Sequence, residues 1–298
     1  MTEFKSGFIA IVGRPNVGKS SLLNRLIGQK IAIISPKPQT TRNTIRGILH
    51  GDNYQIVFID TPGIHNPENK LGEAMQKNAY QGLRDNDAIL YLVDAKPFLD
   101  ETDLELIKRL KACKCKIFLG INKIDLLTDK SAIDRIIMMY LAHLEFQAVV
   151  PISVREDKNI EHLLKEVVEV LEPGPAYFPE DTVTDQPERA IIAEVVREKI
   201  MLYTKEEIPY SVIVVTEELK KNIETGQMQA RIQIYGERES QKGIIIGKHG
   251  AMLKKIGTAA RKDLNAIFDN KFHLELWVKI KKDWRKSIAD LKNFGFYE

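Results

Sequence analysis

The sequence predicts an α/β domain with a mostly parallel sheet and helices on both faces, followed by a smaller α+β domain. Short apolar runs alternate with helical patterns through residues 1–172, as in sheets whose parallel strands are joined by helices. Four prolines and no apolar periodicity indicate a linker at residues 173–188. A different order of helices and strands fills residues 189–298, which we expect to form the second domain.

Five apolar runs are expected to form the sheet of the first domain: Phe8–Gly13, Tyr54–Asp60, Ala88–Asp94, Lys116–Asn122 and Ala148–Ser153. Helical patterns such as Glu101–Leu110 and Ile160–Leu171 separate several of them. Ligands of such sheets bind at the carboxyl ends of the strands. Each polar motif of this domain described below, apart from the segment Pro38–Thr44, lies at such an end.

The second domain is expected to hold a helix, two strands, a glycine turn, a helix and a strand, with a last helix after Trp284. The expected elements are Ala190–Tyr203, Ser211–Leu219, Gln229–Tyr235, Ala251–Phe268 and His273–Ile280. In the helix after the turn, an apolar stripe at helical spacing predicts the core-facing side. The stripe consists of Leu253, Ile256, Ala260, Leu264 and Ile267.

Positive charge is concentrated near the C-terminus. The net charge is +3, but residues 238–286 contain 13 Lys and Arg against 5 Asp and Glu, a local balance of +8, so the remainder carries −5. A basic module on a mildly acidic body indicates a polyanionic partner. A solvated, lysine-rich helix face is the alternative that charge alone allows.

The cysteine pattern and the N-terminus predict a cytoplasmic protein. Cys113 and Cys115 lie two residues apart with no histidine nearby, so they indicate neither a disulfide framework nor a metal site. The chain enters an apolar strand within eight residues and shows no secretory leader. No apolar run approaches the ~20 residues that a membrane span needs.

The octapeptide GRPNVGKS follows the first strand and opens a helix, as a phosphate-binding loop must. Backbone N–H groups of such a loop point at phosphate oxygens, while Lys19 supplies a cation to the β- and γ-phosphates and Ser20 offers a hydroxyl to Mg²⁺. The predicted nucleotide ligands here are Gly13, Arg14, Pro15, Asn16, Val17, Gly18, Lys19 and Ser20.

Two further tetrapeptides end buried strands. In DTPG, comprising Asp60, Thr61, Pro62 and Gly63, the carboxylate can hold Mg²⁺ through water and the Gly63 N–H can meet the γ-phosphate. In NKID, comprising Asn122, Lys123, Ile124 and Asp125, the aspartate can accept hydrogen bonds from the N1–H and the exocyclic amine of guanine. Adenine lacks that pair of donors, so this loop selects GTP over ATP.

The ordered set GRPNVGKS, DTPG and NKID resembles the signature of translation-factor-type small GTPases. The resemblance implies that Ser153 and Val154 contact guanine, with valine in place of the usual alanine. It also implies that Pro38–Thr44 is a switch segment whose threonine binds Mg²⁺. Thr41 is the preferred residue because it precedes Arg42, and Thr40 is the alternative. The predicted catalytic set is Lys19, Thr41, Asp60 and Gly63.

Slow intrinsic hydrolysis is expected because Ile64 occupies the position at which Ras-like enzymes carry a water-orienting glutamine. His65 is adjacent but is not assigned a catalytic role. The resemblance is to GTPases with a hydrophobic residue at this position. In related proteins an asparagine at the place of Asn16 helps to bind K⁺, which supplies the positive charge otherwise given by an arginine finger.

A second glycine turn, GKHG, lies inside the basic segment. It consists of Gly247, Lys248, His249 and Gly250. A Gly-x-x-Gly turn between helices resembles the element with which KH domains clamp single-stranded RNA. Lys254 and Arg261 in the following helix are predicted to meet phosphates, and bases would lie along Ile244–Ile246.

Over essentially its whole length the chain resembles the bacterial Era-type GTPases, through GRPNVGKSSLLNRLIGQK, QTTR, GKHGAMLKKIGTAAR and WRKSIADLKNFGFYE. The resemblance implies binding near the 3′ end of 16S ribosomal RNA, maturation of the 30S subunit, and loose contact with the inner membrane face. We expect a monomer that uses GTP and Mg²⁺, with its slow hydrolysis stimulated by K⁺ or by the assembled partner. GTP binding is expected to bias the angle between the domains, and hydrolysis to release RNA.

The leading hypothesis is therefore a GTP-hydrolysing switch that binds ribosomal RNA. One alternative is a GTP-binding RNA-interaction protein with little or no hydrolysis, which Ile64 makes conceivable. A second is an RNA-modifying enzyme driven by GTP. That enzyme would need a nucleophile or metal cluster outside the GTP site, and neither cysteine lies in such a setting.

Overall fold

The structure is a computed structural model that describes residues 3–64, 67–129 and 131–297. The chain packs into two compact units. The first comprises Met1–Ile31, Thr41–Pro67 and Met75–Asp185. The second comprises Ala32–Thr40, Glu68–Ala74 and Gln186–Glu298.

The sheet of the first unit has six strands in the order β2-β3-β1-β4-β5-β6. Strand β2 is antiparallel to β3, and the other neighbours are parallel, which confirms the mostly parallel sheet. The strands are β1 Lys5–Val12, β2 Ile45–Gly51, β3 Tyr54–Asp60, β4 Ala88–Asp94, β5 Lys116–Asn122 and β6 Ala148–Pro151. The carboxyl ends of the parallel strands carry the loops that form the nucleotide site.

Five helices lie along this part of the chain: α1 Lys19–Ile27, α2 Lys70–Gln81, α3 Glu101–Leu110, α4 Ser131–Leu141 and α5 Ile160–Glu169. Four of them belong to the unit of this sheet, and α2 begins in the second unit and ends in the first. The first turn of α3 is fixed by a capping box between Asp100 and Asp103, whose side chains each accept from the other's backbone N–H. Apolar residues of α3 and α4 pack with those of β1, β4 and β5 in one core cluster. None of the described helices combines the length and apolarity needed to cross a bilayer.

The proline-rich segment after α5 packs on the edge of the first unit. The Ile48 N–H donates to the carbonyl of Val183 over 2.9 Å. The Gln55 side chain donates to the Phe178 carbonyl over 2.7 Å and accepts from the Tyr177 N–H over 2.7 Å. By these contacts residues 173–185 belong with the first unit.

The second unit has a three-stranded sheet covered by helices, which confirms the α+β class. Strand β8 lies between β7, to which it is antiparallel, and β9, to which it is parallel. Ile256, Ala260 and Leu264 of the predicted stripe are fully buried in the core. The elements are α6 Glu188–Tyr203, α7 Ile208–Ser211, β7 Ile213–Lys221, β8 Met228–Gly236, α8 Glu239–Ile246, α9 Ala251–Ile267, β9 Phe272–Ile280 and α10 Ile288–Asn293.

Residues 32–40, which belong to the second unit, lie along helix α6. The Lys37 ammonium group donates to the carbonyls of Met201 and Thr204 at the carboxyl end of that helix, where the helix dipole favours a cation. The fully buried Arg197 guanidinium donates to the carbonyl of Thr40. The Ile34 N–H donates to the Glu198 carboxylate over 2.9 Å.

Candidate functional site

The loop between β1 and α1 takes a conformation that only glycine permits at two positions. Gly13 and Gly18 have φ angles of 153° and 107°. A Cβ on Gly13 would lie 2.1 Å from the Leu92 carbonyl oxygen, and one on Gly18 would lie 2.3 Å from the Asn122 amide nitrogen. Helix α1 begins at Lys19, so its unpaired N–H groups face this loop, as an anion site requires.

Lys19 is the buried cation of the loop. Its ammonium group donates to the carbonyls of Gly13 and Arg14 over 3.0 and 2.9 Å. Burial lowers the pKa of Lys19 to about 8, although the Asp60 carboxylate opposes that effect. Phosphate oxygens would compensate the buried charge far better than two carbonyls do, so Lys19 is suited to exchange these contacts for a nucleotide.

Ser20, Thr41 and Asp60 meet at one point. Asp60 Oδ2 accepts from the Ser20 hydroxyl over 2.6 Å and from the Thr41 hydroxyl over 3.4 Å, and the two hydroxyl oxygens lie 2.8 Å apart. Asp60 Oδ1 is buried and has no hydrogen-bond partner. Two hydroxyls and a carboxylate with a spare oxygen form a donor set suited to Mg²⁺ and its waters. Thr40 instead donates to the carbonyl of Lys37, so the structure brings Thr41 to this point.

A Mg²⁺ ion at this point would depend on phosphate oxygens as well. Among the described residues, no group of three or more His, Cys, Asp or Glu side chains is placed to hold a metal. Protein sites for Mg²⁺ commonly use one or two carboxylates together with substrate phosphates and water. The residues present fit that pattern, because Ser20, Thr41 and Asp60 all lie beside the phosphate-binding loop.

Burial raises the pKa of Asp60 to about 6, against the opposing effects of Lys19, Ser20 and Thr41. Between pH 3.8 and about 6, the folded protein therefore binds more protons at Asp60 than the unfolded chain does. In the nucleotide-free protein, we expect this residue to lower the free energy of unfolding by about 3 kcal/mol as the pH rises through that window. Denaturant titrations of wild type and Asp60→Asn from pH 4 to 7 measure this. Parallel pH profiles of the two proteins would contradict it.

The rest of the DTPG turn is packed against the phosphate-binding loop. The Thr61 hydroxyl donates to the Ile11 carbonyl over 3.0 Å. A Cβ on Gly63 would lie 2.7 Å from the backbone nitrogen of Pro15. Ile64 is 2% exposed and belongs to the apolar core, so its side chain does not face the site. His65 lies outside the described residues.

The NKID loop is joined to the phosphate-binding loop. The Asn122 amide donates to the Val17 carbonyl over 2.8 Å, and the Lys123 ammonium group donates to the Asn16 carbonyl over 2.6 Å. Asp125 Oδ1 accepts from the fully buried Ser153 hydroxyl over 2.6 Å. A nucleotide would therefore meet a base-reading loop already fixed to the phosphate cradle.

Val154 is held against the NKID loop. Its N–H donates to Asn122 Oδ1 over 3.1 Å, and contact of Ser153 and Val154 with guanine stays a prediction. The Ile124 N–H likewise donates to the Ile152 carbonyl over 3.3 Å, which ties the loop to the end of β6. The Asp125 carboxylate has two oxygens, one of which accepts from Ser153, so it can accept further hydrogen bonds from a purine.

The GKHG turn in the second unit is exposed and has left-handed backbone. Gly247, His249 and Gly250 have φ angles of 73°, 50° and 77°. A Cβ on Gly247 would lie 2.7 Å from the Met252 Cβ, whereas one on Gly250 would meet nothing within 4 Å. Lys248 and His249 are exposed, so the middle of the turn faces solvent.

The predicted basic contacts lie on the open side of α9. Lys254 and Arg261 are exposed, and neither belongs to the buried stripe of this helix. Ile245 is fully buried in the core and cannot line an RNA groove, which corrects one of the three isoleucines predicted there. Ile244 is 50% exposed and can still contact RNA bases as predicted.

Three carboxylates around Arg14 were not predicted. Its guanidinium contacts Asp94 at the end of β4, Asp100 just before α3, and Asp103 in the first turn of α3. The only local signal was the pair of aspartates three residues apart, which predicts a helix start and not an arginine site.

Comparison with known proteins follows the division into two units. Residues 8–123 match a family described as 50S ribosome-binding GTPase, and residues 207–285 match the KH domain. With the phosphate cradle, the Mg²⁺-type donor set and the base-reading loop, these matches define a P-loop GTPase joined to a KH domain.

Two solved structures resemble the chain over 99% of its length and 100% of theirs, each with 40% identity and a TM-score of 0.95. One is Era in complex with MgGDPNP and nucleotides 1506–1542 of 16S ribosomal RNA. The other is a variant of Aquifex aeolicus Era bound to GDP and AlF₄⁻. The chain belongs to the Era family of GTPases.

Proposed function

We propose that this GTPase is a molecular switch that binds the 3′ region of 16S ribosomal RNA and assists maturation of the 30S subunit. One observation carries the proposal. Thr41 meets Ser20 and Asp60 in the nucleotide-binding unit, while residues 32–40 just before it pack on the unit that presents the GKHG turn. The 40% identical Era structure with bound GTP analogue and RNA supports this pairing of ligands.

Three groups of residues in the first unit would bind GTP. Asp125 reads the guanine edge, held in place by Ser153. The loop N–H groups and the start of α1 take the β-phosphate, and Lys19 leaves the carbonyls of Gly13 and Arg14 to bridge the β- and γ-phosphates. Ser20, Thr41 and Asp60 would hold Mg²⁺, which neutralises charge on the phosphate oxygens.

Hydrolysis then depends on orientation and charge, since Ile64 is buried and offers no polar atom to the attacking water. Gly63 packs closely against Pro15 of the loop, and its N–H is the predicted donor to the γ-phosphate. Without a side chain that positions water, turnover is expected to be slow.

We expect K⁺ to stimulate turnover through Asn16. Asn16 is exposed at the loop, has a φ of 64°, and its carbonyl accepts from Lys123. In wild type, GTP turnover should be at least about tenfold faster in K⁺ than in Na⁺ at equal ionic strength. Asn16→Gly keeps the left-handed backbone and removes the carboxamide, so its rates in the two salts should be equal. A variant with undiminished K⁺ stimulation would contradict the role of Asn16.

Coupling of GTP to RNA would pass through residues 32–40. Chain connectivity joins Thr41, at the Mg²⁺-type donor set, to Thr40, whose carbonyl is held by Arg197 of α6. Lys37 holds the same segment at the end of that helix. A nucleotide that contacts Thr41 in one state and not in the other would therefore act on a segment anchored in the KH-containing unit, as a switch requires.

The test of the proposed function is RNA affinity in two nucleotide states. Wild-type protein would be titrated at fixed salt with nucleotides 1506–1542 of 16S ribosomal RNA, in GDPNP with Mg²⁺ and in GDP with Mg²⁺. We expect tighter binding with GDPNP, by about tenfold or more. Equal affinities in the two states would contradict the switch, and an equal affinity for unrelated RNA would contradict the target.

A second candidate function is a GTP-binding RNA-interaction protein with little or no hydrolysis. Ile64 favours it, because an isoleucine side chain has no group to orient water and this one is packed in the core. GTP turnover measured with K⁺, with Na⁺ and with the RNA fragment separates the two functions. The absence of turnover in all three conditions would favour this second candidate.

We also propose that the protein acts as a monomer in the cytoplasm, with peripheral contact at the inner membrane face. Support for the membrane contact is the basic balance of +8 over residues 238–286, because anionic headgroups attract exposed lysines and arginines. Sedimentation with anionic and neutral vesicles, with and without RNA, tests whether lipid and RNA compete for this segment.

A further inference from the structure

Arg14 lies in the phosphate-binding loop, where an arginine is expected to bind phosphate, but its guanidinium contacts three carboxylates instead. Nη2 lies 2.7 Å from Asp94 Oδ1, Nε lies 3.2 Å from Asp103 Oδ1, and Nη1 donates to Asp100. The Arg14 side chain is 12% exposed, and that of Asp103 is fully buried. Three carboxylates compensate this one cation, so the guanidinium is not available as a phosphate ligand.

The carboxylates are themselves held in place. Asp103 Oδ1 accepts from the Tyr91 hydroxyl over 3.1 Å, and Asp100 and Asp103 form the capping box of α3. The residue after Asp94 donates its N–H to the Asn122 carbonyl over 2.8 Å, which ties this end of β4 to the base-reading loop. The three groups therefore form a rigid anchor made of two elements that do not contain the loop.

We infer that Arg14 is a positioning residue, and that the anchor formed by Asp94, Asp100 and Asp103 fixes the phosphate-binding loop in its nucleotide-binding conformation. The carbonyls of Gly13 and Arg14, which hold Lys19, belong to the residues that this anchor fixes. The inference rests on the proposed GTP-binding function and adds to it a set of residues that never touch the nucleotide.

The effect should appear in binding more than in the chemical step. The N–H groups of the loop would contact the β-phosphate, which GDP and GTP share, in the ground state and the transition state alike. Loosening the loop therefore weakens both nucleotides by the same factor. It raises KM for GTP while kcat at saturation changes little.

The experiment uses full-length Arg14→Lys, Asp103→Asn and the double variant. Lysine keeps the charge but cannot reach three carboxylates, and asparagine keeps the size of the aspartate. Dissociation constants for GDP and GDPNP are measured by fluorescence titration, together with kcat and KM. We expect each single variant to raise both dissociation constants about tenfold and in parallel, and the double variant to be little worse than either single variant.

Glu101→Gln is the matched control, because Glu101 is an exposed carboxylate in the same first turn of α3. It should leave both affinities unchanged. Melting temperatures without nucleotide identify a variant that fails to fold. If Arg14→Lys does not fold, Asp103→Asn alone tests the inference. Unchanged affinities, additive losses, the same loss in the control, or a lower kcat at constant KM would overturn the positioning role. A wild type that binds neither nucleotide would instead overturn the proposed function.

Discussion

Asp125→Asn should lower the affinity for GTP by about 100-fold and create affinity for XTP. Guanine presents two donors to this residue, the N1–H and the exocyclic amine, and the carboxylate can accept both. Asparagine keeps one acceptor and places an NH₂ group against the amine. Loss of one charged hydrogen bond together with a donor facing a donor amounts to roughly 3 kcal/mol, which corresponds to the stated factor.

Xanthine carries a carbonyl where guanine carries the amine, so its edge matches the donor and acceptor of asparagine. The Ser153 hydroxyl, which donates to Asp125 Oδ1 over 2.6 Å, would still find an oxygen in the variant and hold it in place. Competition titrations with GTP, XTP and ATP measure the specificity. Asp134→Asn, at an exposed aspartate of α4, is the matched control and should bind GTP as wild type does. A variant that retains preference for GTP over XTP would show that Asp125 does not read the base.

The buried parts of the fold could be predicted from the sequence almost to the residue. Strands β3, β4 and β5 begin and end where the apolar runs do, because burial on both faces leaves no ambiguity of pattern. Helix α3 begins where predicted, because its capping box is formed by two aspartates only three residues apart in the sequence. The order of the three GTP motifs likewise depends on residues that are close in sequence.

Edge and turn elements could not be predicted in this way. Strand β2 lies at the edge of the sheet, and Arg46 and Gly47 interrupt its apolar pattern, so periodicity does not single it out. A helix before the GKHG turn is predicted, but its bounds are not. Helix α8 contains Gly243 and ends at Ile246, next to Gly247, and two glycines around an apolar triplet resemble a loop as much as a helix.

Contacts between residues far apart in the sequence could not be predicted either. Arg14 is separated by 80 and 86 residues from Asp94 and Asp100, and no local pattern links them. The distinction between Thr40 and Thr41 also needed the backbone. The two side chains are identical and differ only in the partner that the backbone places beside them. The Thr41 hydroxyl donates to Asp60, and the Thr40 hydroxyl donates to the Lys37 carbonyl.

Gly250→Asp should abolish binding of the 16S fragment while leaving the KH-containing unit folded. A Cβ at Gly250 meets nothing within 4 Å, and aspartate tolerates a φ of 77° better than most residues do. The sugar–phosphate backbone of RNA must approach this turn closely, and it would meet both the bulk and the negative charge of the aspartate. We expect a loss of at least about 100-fold, the order expected when a phosphate contact becomes a like-charge clash.

Gly247→Asp is the weaker test, because its Cβ would lie 2.7 Å from the Met252 Cβ and the fold itself would be strained. Gly226→Asp is the matched control, since Gly226 has a φ of 69°, open space around it, and a place in the same unit outside the GKHG turn. Gel-shift and melting experiments on all three variants would be run beside wild type. If Gly250→Asp binds RNA as tightly as the control does, the turn is structural. RNA recognition by this GTPase must then reside on another surface, and the coupling through residues 32–40 would lose its target.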